Sequence, residues 1–461
     1  MLNEGLKKIV VVRFQGGSNA GHTVVSPDGT KIALHQVPSC VLYKEAVGIM
    51  ESGMVIHMED LKTEIEEAEE IEEVGDLNGR LYLSEMAMLC TDLERAQEVL
   101  NRNLSSGKSE GGTGRGIAPT VANAITRRGA LVGDLFEDEW EAKFEKMYED
   151  CEKEFAAHGY ELAEIEVPDL KATRAAKKAI SRTLGNKEEF IERLEEVRDW
   201  FIERDELLPG DETLVCNTFV MYENWYQDEN VGFLFEGAQA IGLHPVFGRY
   251  PDITSTHTDT NGVLLGTKFP GFARECLEEI IGVMKLTYTS SVAKVHMLTD
   301  SGIERRIYTE DEISEMDPAE GFAAWVRNEA HEFGTTTGRV RDIRFLDLAL
   351  LRYNIAIGGI KSLAATHADI ARPTDKIRVC MHYADHEGKY VPYQPGIQYQ
   401  QGLVPVYIEL PGWDGATTQE AESFDELPEN CQKFIKFVER SLSIEIKYIT
   451  TGPNREQMIV K

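Results

Sequence analysis

The sequence has little positive charge and no long run of apolar residues. Its 48 lysines and arginines stand against 79 aspartates and glutamates, which leaves a formal charge of −31 at pH 7. A field of this sign repels polyanions, so it argues against general nucleic-acid binding and adsorption to an anionic membrane. No apolar stretch approaches the ~20 residues that cross a bilayer, and the amino end lacks the apolar core and cleavage site of a signal peptide. These absences predict a cytoplasmic protein with neither nucleic-acid nor membrane partners, in which any phosphate site is local.

Cysteine is sparse and never paired in sequence. The seven cysteines lie far apart, and none has the CxxC spacing of structural zinc sites. Their odd number also argues against a disulfide framework. We therefore predict reduced thiols that behave as small buried hydrophobic side chains.

Short apolar runs alternate with helical patterns along the whole chain. Runs such as Ile9 to Val12 and Val231 to Phe235 have the lengths of buried strands. Helical patterns cover Glu51 to Glu73 and, with the alternating charges of an exposed surface, Ala172 to Glu206. The alternation predicts an α/β fold with a central, mostly parallel sheet flanked by helices. Because no repeat or linker interrupts it, we predict a single large domain over residues 1–461, with helical and small β elaborations.

A glycine-rich turn follows the first predicted strand. Residues 15–23 read QGGSNAGHT, and their three glycines let the backbone approach a ligand closely. His22 adds a neutral imidazole that can donate to a phosphoryl oxygen. Taken alone, such a turn is more often structural than functional, so its interpretation depends on the motifs that follow.

Two further motifs carry groups that can bind ligands. The sequence GGTGRG brings the hydroxyl of Thr113 and the guanidinium of Arg115 to the lip of a segment that ends in Arg127 and Arg128. The sequence FEGAQ follows a predicted strand, where open α/β sheets bind ligands, and Gln239 offers a donor and an acceptor to a base edge. A plain loop and a capping glutamine fit these residues equally well.

The carboxyl-terminal half holds three more polar turns. Residues 333–341, FGTTTGRVR, place three hydroxyls between glycines and then two arginines, a combination suited to gripping a carboxylate and a phosphate together. Asp369 follows the predicted strand Ser362 to Ala365, and a carboxylate there can accept both N1–H and the 2-amino group of guanine. Residues 449–455 form a third polar turn after a strand. The last two turns are ordinary loops without a wider context.

Taken in order, these segments resemble adenylosuccinate synthetases. The matching stretches read RFQGGSNAGHTVV, GTGRGIAP, LFEGAQ, EFGTTTGRVR, PVYIELPGW and TTGPNR. Each is weak singly, but six motifs in the same order, from Val10 to the end of the chain, do not arise readily by chance. The resemblance implies a P-loop-NTPase-like fold and a GTP-dependent ligase that joins L-aspartate to IMP, forming adenylosuccinate in AMP biosynthesis.

The chemistry of that family explains the residue types. Hydroxide is a poor leaving group from C6 of a purine, so these enzymes transfer the GTP γ-phosphoryl group to the 6-oxygen before the aspartate amine displaces phosphate. The first step needs positioning and charge neutralisation by Mg²⁺, backbone amides and cations. The resemblance implies that His22 is the general acid and that the carbonyl oxygen of Gly21 is a ligand of Mg²⁺.

The resemblance also implies three sets of binding residues. The IMP site takes Asn19, Ala20, Gly21, His22, Thr113, Arg127, Gln239, Thr254 and Arg339. The aspartate site takes Thr335, Thr336, Thr337 and Arg339. The GTP site takes Gly21, His22, Thr23, Arg341, His367, Asp369, Thr450, Thr451 and Gly452. Arg127 is expected to reach the site of a neighbouring subunit, which implies a homodimer.

The sequence departs from the family at its amino end and near the nucleotide. Family members have a glycine-rich GDEGKGK loop whose Asp is the general base and a Mg²⁺ ligand, whereas Met1 opens a segment that resembles the later part of the following helix. We expect a start codon set too far downstream or a truncated chain, and low activity of the chain as written. His367, residues 255–259 and residues 290–299 also differ from the family pattern, at positions that can change which nucleotide is accepted.

Two alternatives follow from these departures. The first is a ligase of the same chemistry that acts on GMP or dGMP, as in phage enzymes that make 2-aminoadenine nucleotides. The second is a catalytically inactive homologue that binds nucleotide. The presence of His22, Gln239, Arg339 and Arg341 favours an enzyme over this second alternative.

Overall fold

The computed structural model describes residues 6–25, 29–104, 113–176, 178–208, 212–269, 277–291, 296–334, 338–454 and 456–461. These residues form two compact units. The first runs to Ala240 and takes in the described part of 254–274. The second takes in Ile241–Ile253, the described residues from 277 to 334, and those from 338 onward. A single domain over residues 1–461 stays a prediction, because compact units occur within one domain as well as in two.

The first unit alternates short strands with helices. Its strands are β1 (Lys8–Arg13), β2 (Gly16–Gly17), β3 (His22–Val25), β4 (Lys31–Leu34), β5 (Ala46–Met50), β6 (Met54–Ile56), β7 (Leu81–Ser84), β8 (Met88–Leu89), β9 (Ala130–Leu131), β10 (Glu166–Pro168), β11 (Ser181–Thr183), β12 (Val215–Cys216) and β13 (Val231–Glu236). Its helices are α1 (Met58–Glu69), α2 (Asp92–Leu104), α3 (Ile117–Ile125), α4 (Trp140–Ala157), α5 (Leu170–Ala176), α6 (Lys187–Asp205), α7 (Thr218–Trp225) and α8 (Asn261–Gly266).

A five-stranded parallel sheet is the centre of the first unit. Its order is β12-β7-β5-β1-β13, and every neighbouring pair is parallel. On one face Val10 and Val12 of β1 pack in a cluster with Tyr222 of α7, and on the other Val11 packs against Cys40. Because both faces are covered, the strand is apolar throughout rather than alternating. The predicted α/β fold with a central parallel sheet is confirmed.

The helical pattern predicted over residues 172–206 is not one helix. Helix α5 ends at Ala176, strand β11 follows, and α6 starts after Asn186. Asn186 accepts a hydrogen bond from the backbone of Glu189, whose side chain accepts one in return, so a capping box begins a new helix here. The pattern at residues 51–73 likewise contains a turn and strand β6 before α1 begins. In the described ranges, no helix has both the length and the apolar character that crossing a bilayer requires.

The second unit has two sheets of its own. Its strands are β14 (Ile281–Lys285), β15 (Tyr288–Ser291), β16 (Asp342–Asp347), β17 (Ser362–Thr366), β18 (Lys376–Ala384), β19 (Tyr390–Val391), β20 (Val404–Pro411), β21 (Ile446–Thr450) and β22 (Met458–Val460). Its helices are α9 (Glu310–Glu315), α10 (Pro318–Glu329), α11 (Leu348–Gly358), α12 (Ile397–Gln400), α13 (Gly415–Glu420) and α14 (Glu429–Leu442). One sheet has the order β14-β17-β21-β22 with its first three strands parallel. The other joins β15, β16, β18 and β19, and β20 pairs with β18.

The cysteines of the described residues agree with the prediction of reduced thiols. All six are free, and five of them are buried. Burial raises the pKa of Cys40 and of Cys431 to about 12, so both thiols stay protonated at neutral pH.

Candidate functional site

Two polar loops start side by side at the carboxyl ends of two strands of the central sheet. Strands β1 and β13 are parallel, with Arg13 opposite Glu236, so the loops that follow them leave the sheet together. Gln15 joins these loops, because its Nε2 donates to the carbonyl oxygen of Ala238. Thr256 Oγ1 donates to Gln15 Oε1 at 2.8 Å, which adds the segment that contains Thr254. The fold therefore gathers three predicted ligand-binding segments at these strand ends.

The glycines of the first loop are needed for close approach. Gly16 has a φ of +88°, in the left-handed region that favours glycine. A Cβ on Gly17 would lie 2.2 Å from the carbonyl oxygen of Val55 and 3.1 Å from Cδ1 of Ile117. The first contact forbids any side chain, and the second brings the start of α3 against the loop. The glycines of the turn therefore serve the structure. Its polar side chains remain available to bind a ligand.

Several polar atoms beside these loops are buried without a hydrogen-bond partner. They are Oδ1 of Asn19, Nε2 of His22, and both Nε2 and Oε1 of Gln239. Gln239 also has a φ of +59°, a strained value for a residue with a side chain. Buried polar groups are nearly always satisfied, so a cluster of unsatisfied ones points to a polar ligand.

His22 faces the half-buried carboxylate of Glu236. Its Nδ1 lies 3.0 Å from the carbonyl oxygen of Ala20 and 3.5 Å from Arg13 Nη1, and the shorter contact to the carbonyl assigns the proton to Nδ1. Its Nε2 lies 3.8 Å from Glu236 Oε1, while Glu236 Oε2 accepts from the backbone and hydroxyl of Ser39 at 3.0 and 2.6 Å. Burial and the charge of Arg13 lower the pKa of His22, and Glu236 only partly offsets them. The unliganded imidazole is therefore neutral, with Nε2 available to a ligand.

We expect His22 to remain neutral at pH 6.5, the ordinary pKa of histidine. Since the unfolded chain binds this proton more readily, the contribution of His22 to stability is present above the ordinary pKa and is lost as the pH falls below it. Imidazole nitrogen-15 chemical shifts measured across a pH titration, with His22→Asn to assign the signals, check this expectation. Imidazolium shifts for His22 at pH 6.5 would contradict it.

Residues 113–116 of the GTGRG segment are fixed by hydrogen bonds from within the first unit. Glu98 of α2 accepts hydrogen bonds from the backbone of Gly114 at 2.8 Å and of Gly116 at 2.7 Å. Thr113 is exposed, as a ligand-binding hydroxyl requires. Arg115, however, is buried, and its Nη1 lies 3.8 Å from Asp60. The prediction that its guanidinium stands at the lip of the loop is wrong, because a buried carboxylate holds it inside.

Arg127 lies just beyond the end of α3. Its φ is +60° and its side chain is exposed. The backbone N–H groups of Arg127 and Arg128 donate to carbonyls of α3, which fixes the turn but leaves the Arg127 side chain facing solvent. This placement is compatible with a contact outside the chain.

The second unit gathers most of the predicted GTP residues at the ends of β17 and β21. The backbone N–H of His367 donates to Thr450 Oγ1 at 3.3 Å, and that of Ala368 donates to the Thr450 carbonyl at 3.1 Å. Thr451 is fully buried, and its backbone donates to Gln457. A Cβ on Gly452 would lie 2.3 Å from Gln457 Oε1, so a side chain there would have to displace the end of Gln457. The two turns thus form one polar surface.

Asp369 and His367 are held in defined arrangements on this surface. Gln419 of α13 donates to Asp369 Oδ2 at 3.0 Å and so orients the carboxylate. Burial, together with the charge of Lys285, lowers the pKa of His367. A neutral imidazole beside a carboxylate presents acceptors and a single donor to a ligand.

The segment that carries Arg339 and Arg341 belongs to the second unit from Gly338 onward. Arg339 is exposed, and its carbonyl accepts from the backbone of Gly334 at 2.7 Å. Arg341 is half-buried and donates to Glu332 Oε2 at 3.1 Å. The predicted aspartate-binding residues Thr335, Thr336 and Thr337 lie outside the described residues.

Sequence reasoning missed the side chains that support these loops. Gln15 and Glu236 stand inside the motifs themselves, so their positions after two strands were a usable signal. Glu332 directly precedes the FGTTTGR motif. Gln419 and Lys285 have no local signal, because their roles depend on contacts made across the fold.

Comparison with known proteins agrees with this arrangement. The sequence model of the adenylosuccinate synthetase family matches residues 5–459. Adenylosuccinate synthetase of Caldicellulosiruptor bescii is 31% identical over 454 residues, covering 98% of this chain and 93% of the relative. That of Halothermothrix orenii is 29% identical over 450 residues, covering 98% and 92%.

Solved structures show the same relationship. A fully ligated adenylosuccinate synthetase from Plasmodium falciparum has a TM-score of 0.77 and 28% identity, covering 98% of this chain and 93% of that one. A cyanophage S-2L succinoaminodeoxyadenylate synthetase, bound to dGMP and dATP, has a TM-score of 0.51 at 14% identity over 99% and 96%, which shows the fold alone. The predicted P-loop-like α/β fold is thereby confirmed. The chain belongs to the adenylosuccinate synthetase family, ligases of purine biosynthesis that form adenylosuccinate.

Proposed function

We propose that the protein is a GTP-dependent ligase that forms adenylosuccinate from IMP and L-aspartate through a 6-phosphoryl-IMP intermediate. The observation that carries this proposal is the cluster of buried, unsatisfied atoms of Asn19, His22 and Gln239 beside the ends of β1 and β13. A 6-oxopurine offers both acceptors and an N1–H donor, which match amide groups able to donate and accept. In the first unit we assign to the IMP site the loop 19–22, Thr113, Gln239 and Thr254.

We assign proton transfer in the first step to His22. In the free protein its Nε2 carries a lone pair, so the ring must take a proton before it can donate to the 6-oxygen or to the transferring phosphoryl group. The negative charges of the nucleotide would raise the pKa that burial and Arg13 now lower. Glu236 Oε1, at 3.8 Å from Nε2, would stabilise the imidazolium. Ligand binding and protonation of His22 are therefore coupled.

We assign GTP recognition to two groups of residues. In the second unit these are the surface of His367, Asp369, Thr450, Thr451 and Gly452, together with Arg341. The oriented carboxylate of Asp369 suits the N1–H and 2-amino group of guanine, which adenine lacks, and this supports GTP over ATP. In the first unit the backbone of residues 21–23 supplies contacts to phosphate. Arg339 and residues 335–337 are assigned to L-aspartate, and Arg339 also to IMP.

Mg²⁺ is the metal that this chemistry implies. Within the ranges that the structure describes, no group of three or more His, Cys, Asp or Glu side chains could hold a metal ion. Asn19 and Gly21 offer neutral oxygens, and Oδ1 of Asn19 is buried without a partner. Mg²⁺ retains several waters and often binds through substrate phosphates with few protein ligands, so these residues fit it, with the Gly21 carbonyl as one ligand. Bound there, Mg²⁺ would neutralise charge on the transferring phosphoryl group.

We further propose a cytoplasmic homodimer. The free thiols of the described cysteines suit a reducing compartment. The exposed side chain of Arg127, beyond the end of α3, supports this proposal, in which Arg127 enters the IMP site of a neighbouring subunit. A guanidinium supplied in this way would pair with the nucleotide phosphate.

The decisive experiment measures phosphate release and adenylosuccinate by mass spectrometry. We expect product only when IMP, GTP, Mg²⁺ and L-aspartate are all present. Replacing IMP by GMP or dGMP, or GTP by ATP, should reduce the rate. A preference for dGMP would assign the alternative ligase, and nucleotide binding without product would assign the inactive homologue.

A further inference from the structure

Glu332 is a buried carboxylate that none of the assignments above uses. It lies beyond the end of α10, is 1% exposed, and precedes Phe333 and Gly334. Its carbonyl oxygen accepts from the backbone N–H of Arg341 at 3.0 Å. Its side chain also accepts a hydrogen bond from Arg341, so two hydrogen bonds join these two residues.

Four side chains donate to the two oxygens of Glu332. Oε1 accepts from Lys285 Nζ and, at 2.6 Å, from the hydroxyl of Tyr288. Oε2 accepts from Ser290 Oγ at 2.8 Å and from Arg341 Nη1 at 3.1 Å. The donors come from the end of β14, from β15 and from the segment before β16. A carboxylate with four donors has a fixed orientation, and so have the groups that it binds.

The cluster carries a net positive charge, which favours the binding of an anion. Burial would raise the pKa of Glu332, but Lys285, Tyr288 and Arg341 hold it below its usual range. One carboxylate between two cations leaves one net positive charge. The cluster lies beside His367, whose ring packs edge-on against Tyr288 with centroids 5.9 Å apart. Because β14 and β17 are parallel, this charge stands where their carboxyl ends meet.

The contacts of Glu332 with Arg341 and with Lys285 have different roles. Without the carboxylate, Arg341 would lose its anchor and would be repelled by Lys285, which already feels its charge. Without Lys285, the carboxylate would keep its bond to Arg341 but would lose its charge balance. The contact with Arg341 therefore sets the position of a ligand-binding group. The contact with Lys285 stabilises the fold.

We propose that Glu332 is a positioning residue of the nucleotide site, which holds Arg341 in place for the phosphates of the guanine nucleotide while Lys285 balances its charge. The inference depends on the proposed role of Arg341 in binding GTP. Glu332 itself does not touch the nucleotide, so it acts through Arg341.

The first test compares Glu332→Gln with Glu409→Gln by calorimetric titration of GDP. An amide cannot accept from all four donors, so we expect Glu332→Gln to raise the GDP Kd by at least about tenfold. Its IMP Kd should change far less than its GDP Kd, because all the assigned IMP contacts except Arg339 lie in the first unit. Glu409 is an exposed carboxylate in the same unit that pairs with Arg378, and its variant should bind GDP normally. Equal GDP binding by the unsubstituted protein and Glu332→Gln overturns the inference.

Two double variants separate positioning from stability. Adding Lys285→Met to Glu332→Gln removes both charges, and we expect it to restore the melting temperature but not the GDP affinity. In an Arg341→Met background, Glu332→Gln should change the GDP Kd by less than about threefold, because the group it positions is gone. Recovery of GDP binding in the first case, or a full tenfold effect in the second, overturns the inference. If the unsubstituted protein binds IMP but not GDP, the proposed GTP function fails, and the role of Glu332 fails with it.

Discussion

His22→Asn is expected to reduce the rate of phosphate release by about 10²–10⁴-fold relative to the unsubstituted protein. Asn retains a polar group of similar position but has no proton that it can give near neutral pH. The buried Nε2 of His22 has no hydrogen-bond partner and stands 3.8 Å from Glu236 Oε1. The IMP Kd should change by less than about tenfold, because Asn19 and Gln239 remain.

Positional isotope exchange within oxygen-18-labelled GTP isolates the step that His22 serves. Exchange in the presence of IMP and without aspartate reports transfer of the γ-phosphoryl group, and we expect it to fall with the overall rate. The matched control is His158→Asn, which changes an exposed histidine after α4 of the same unit. A His22→Asn protein that retains more than about a tenth of the exchange rate would exclude His22 as the general acid.

Asp60→Asn is expected to lower the free energy of unfolding by about 3–5 kcal/mol. Asp60 is 3% exposed on α1, it accepts a hydrogen bond from Arg95, and it lies 3.5 Å from His57 and 3.8 Å from Arg115. Burial alone would raise the pKa of Asp60, but Arg95, His57 and Arg115 more than offset it and hold this pKa well below its usual range. The variant therefore removes the carboxylate that pairs with Arg115 and one of the two that pair with Arg95, which keeps Asp92.

Urea denaturation of the two single variants and one double variant tests this account. Asp150→Asn on α4 removes an exposed carboxylate that pairs with Lys146 and Lys153, and it should have little effect. Adding Arg95→Met to Asp60→Asn should recover part of the loss, because the uncompensated charge is removed. A loss below about 1 kcal/mol for Asp60→Asn would show that water or local rearrangement compensates the buried cations.

The acidic stretch of α1 illustrates how far local patterns can be trusted. The helical period predicts that Leu61, Ile65, Ala68 and Ile71 face inward; the first three are fully buried, and Ile71 is partly buried against the same core. The remaining face is only partly solvated, however, because Asp60 and Glu64 are buried as well. The period correctly identified the apolar side, but it carried no information about what covers the opposite side.

The charges of residues 172–206 show the same limit. Their alternation predicted exposed helices with ion pairs between residues four positions apart. This prediction was wrong for Arg174 and Arg182. Arg174 donates to Glu64 at a separation of 110 positions, and Arg182 donates to Glu59 at 123. These arginines cover the acidic face of α1 instead of facing solvent.

The functional loops were predictable because their chemistry is local. Glycines that must let a backbone pass closely, hydroxyls and arginines beside them, and a position directly after a strand are all readable in the sequence. Six such motifs in a fixed order were enough to identify the family. His22, Gln239 and Asp369 were predicted as site residues in this way.

The sequence by itself determined strands β1 and β13, the loops that follow them and the family. The tertiary structure alone decided which charged side chains are buried and what each one serves. Arg115 was drawn inward by Asp60, Gln419 was brought to Asp369, and Glu332 was set between Lys285 and Arg341. The reason is physical: the free energy of a buried charge depends on every group packed around it, and those groups come from distant parts of the chain.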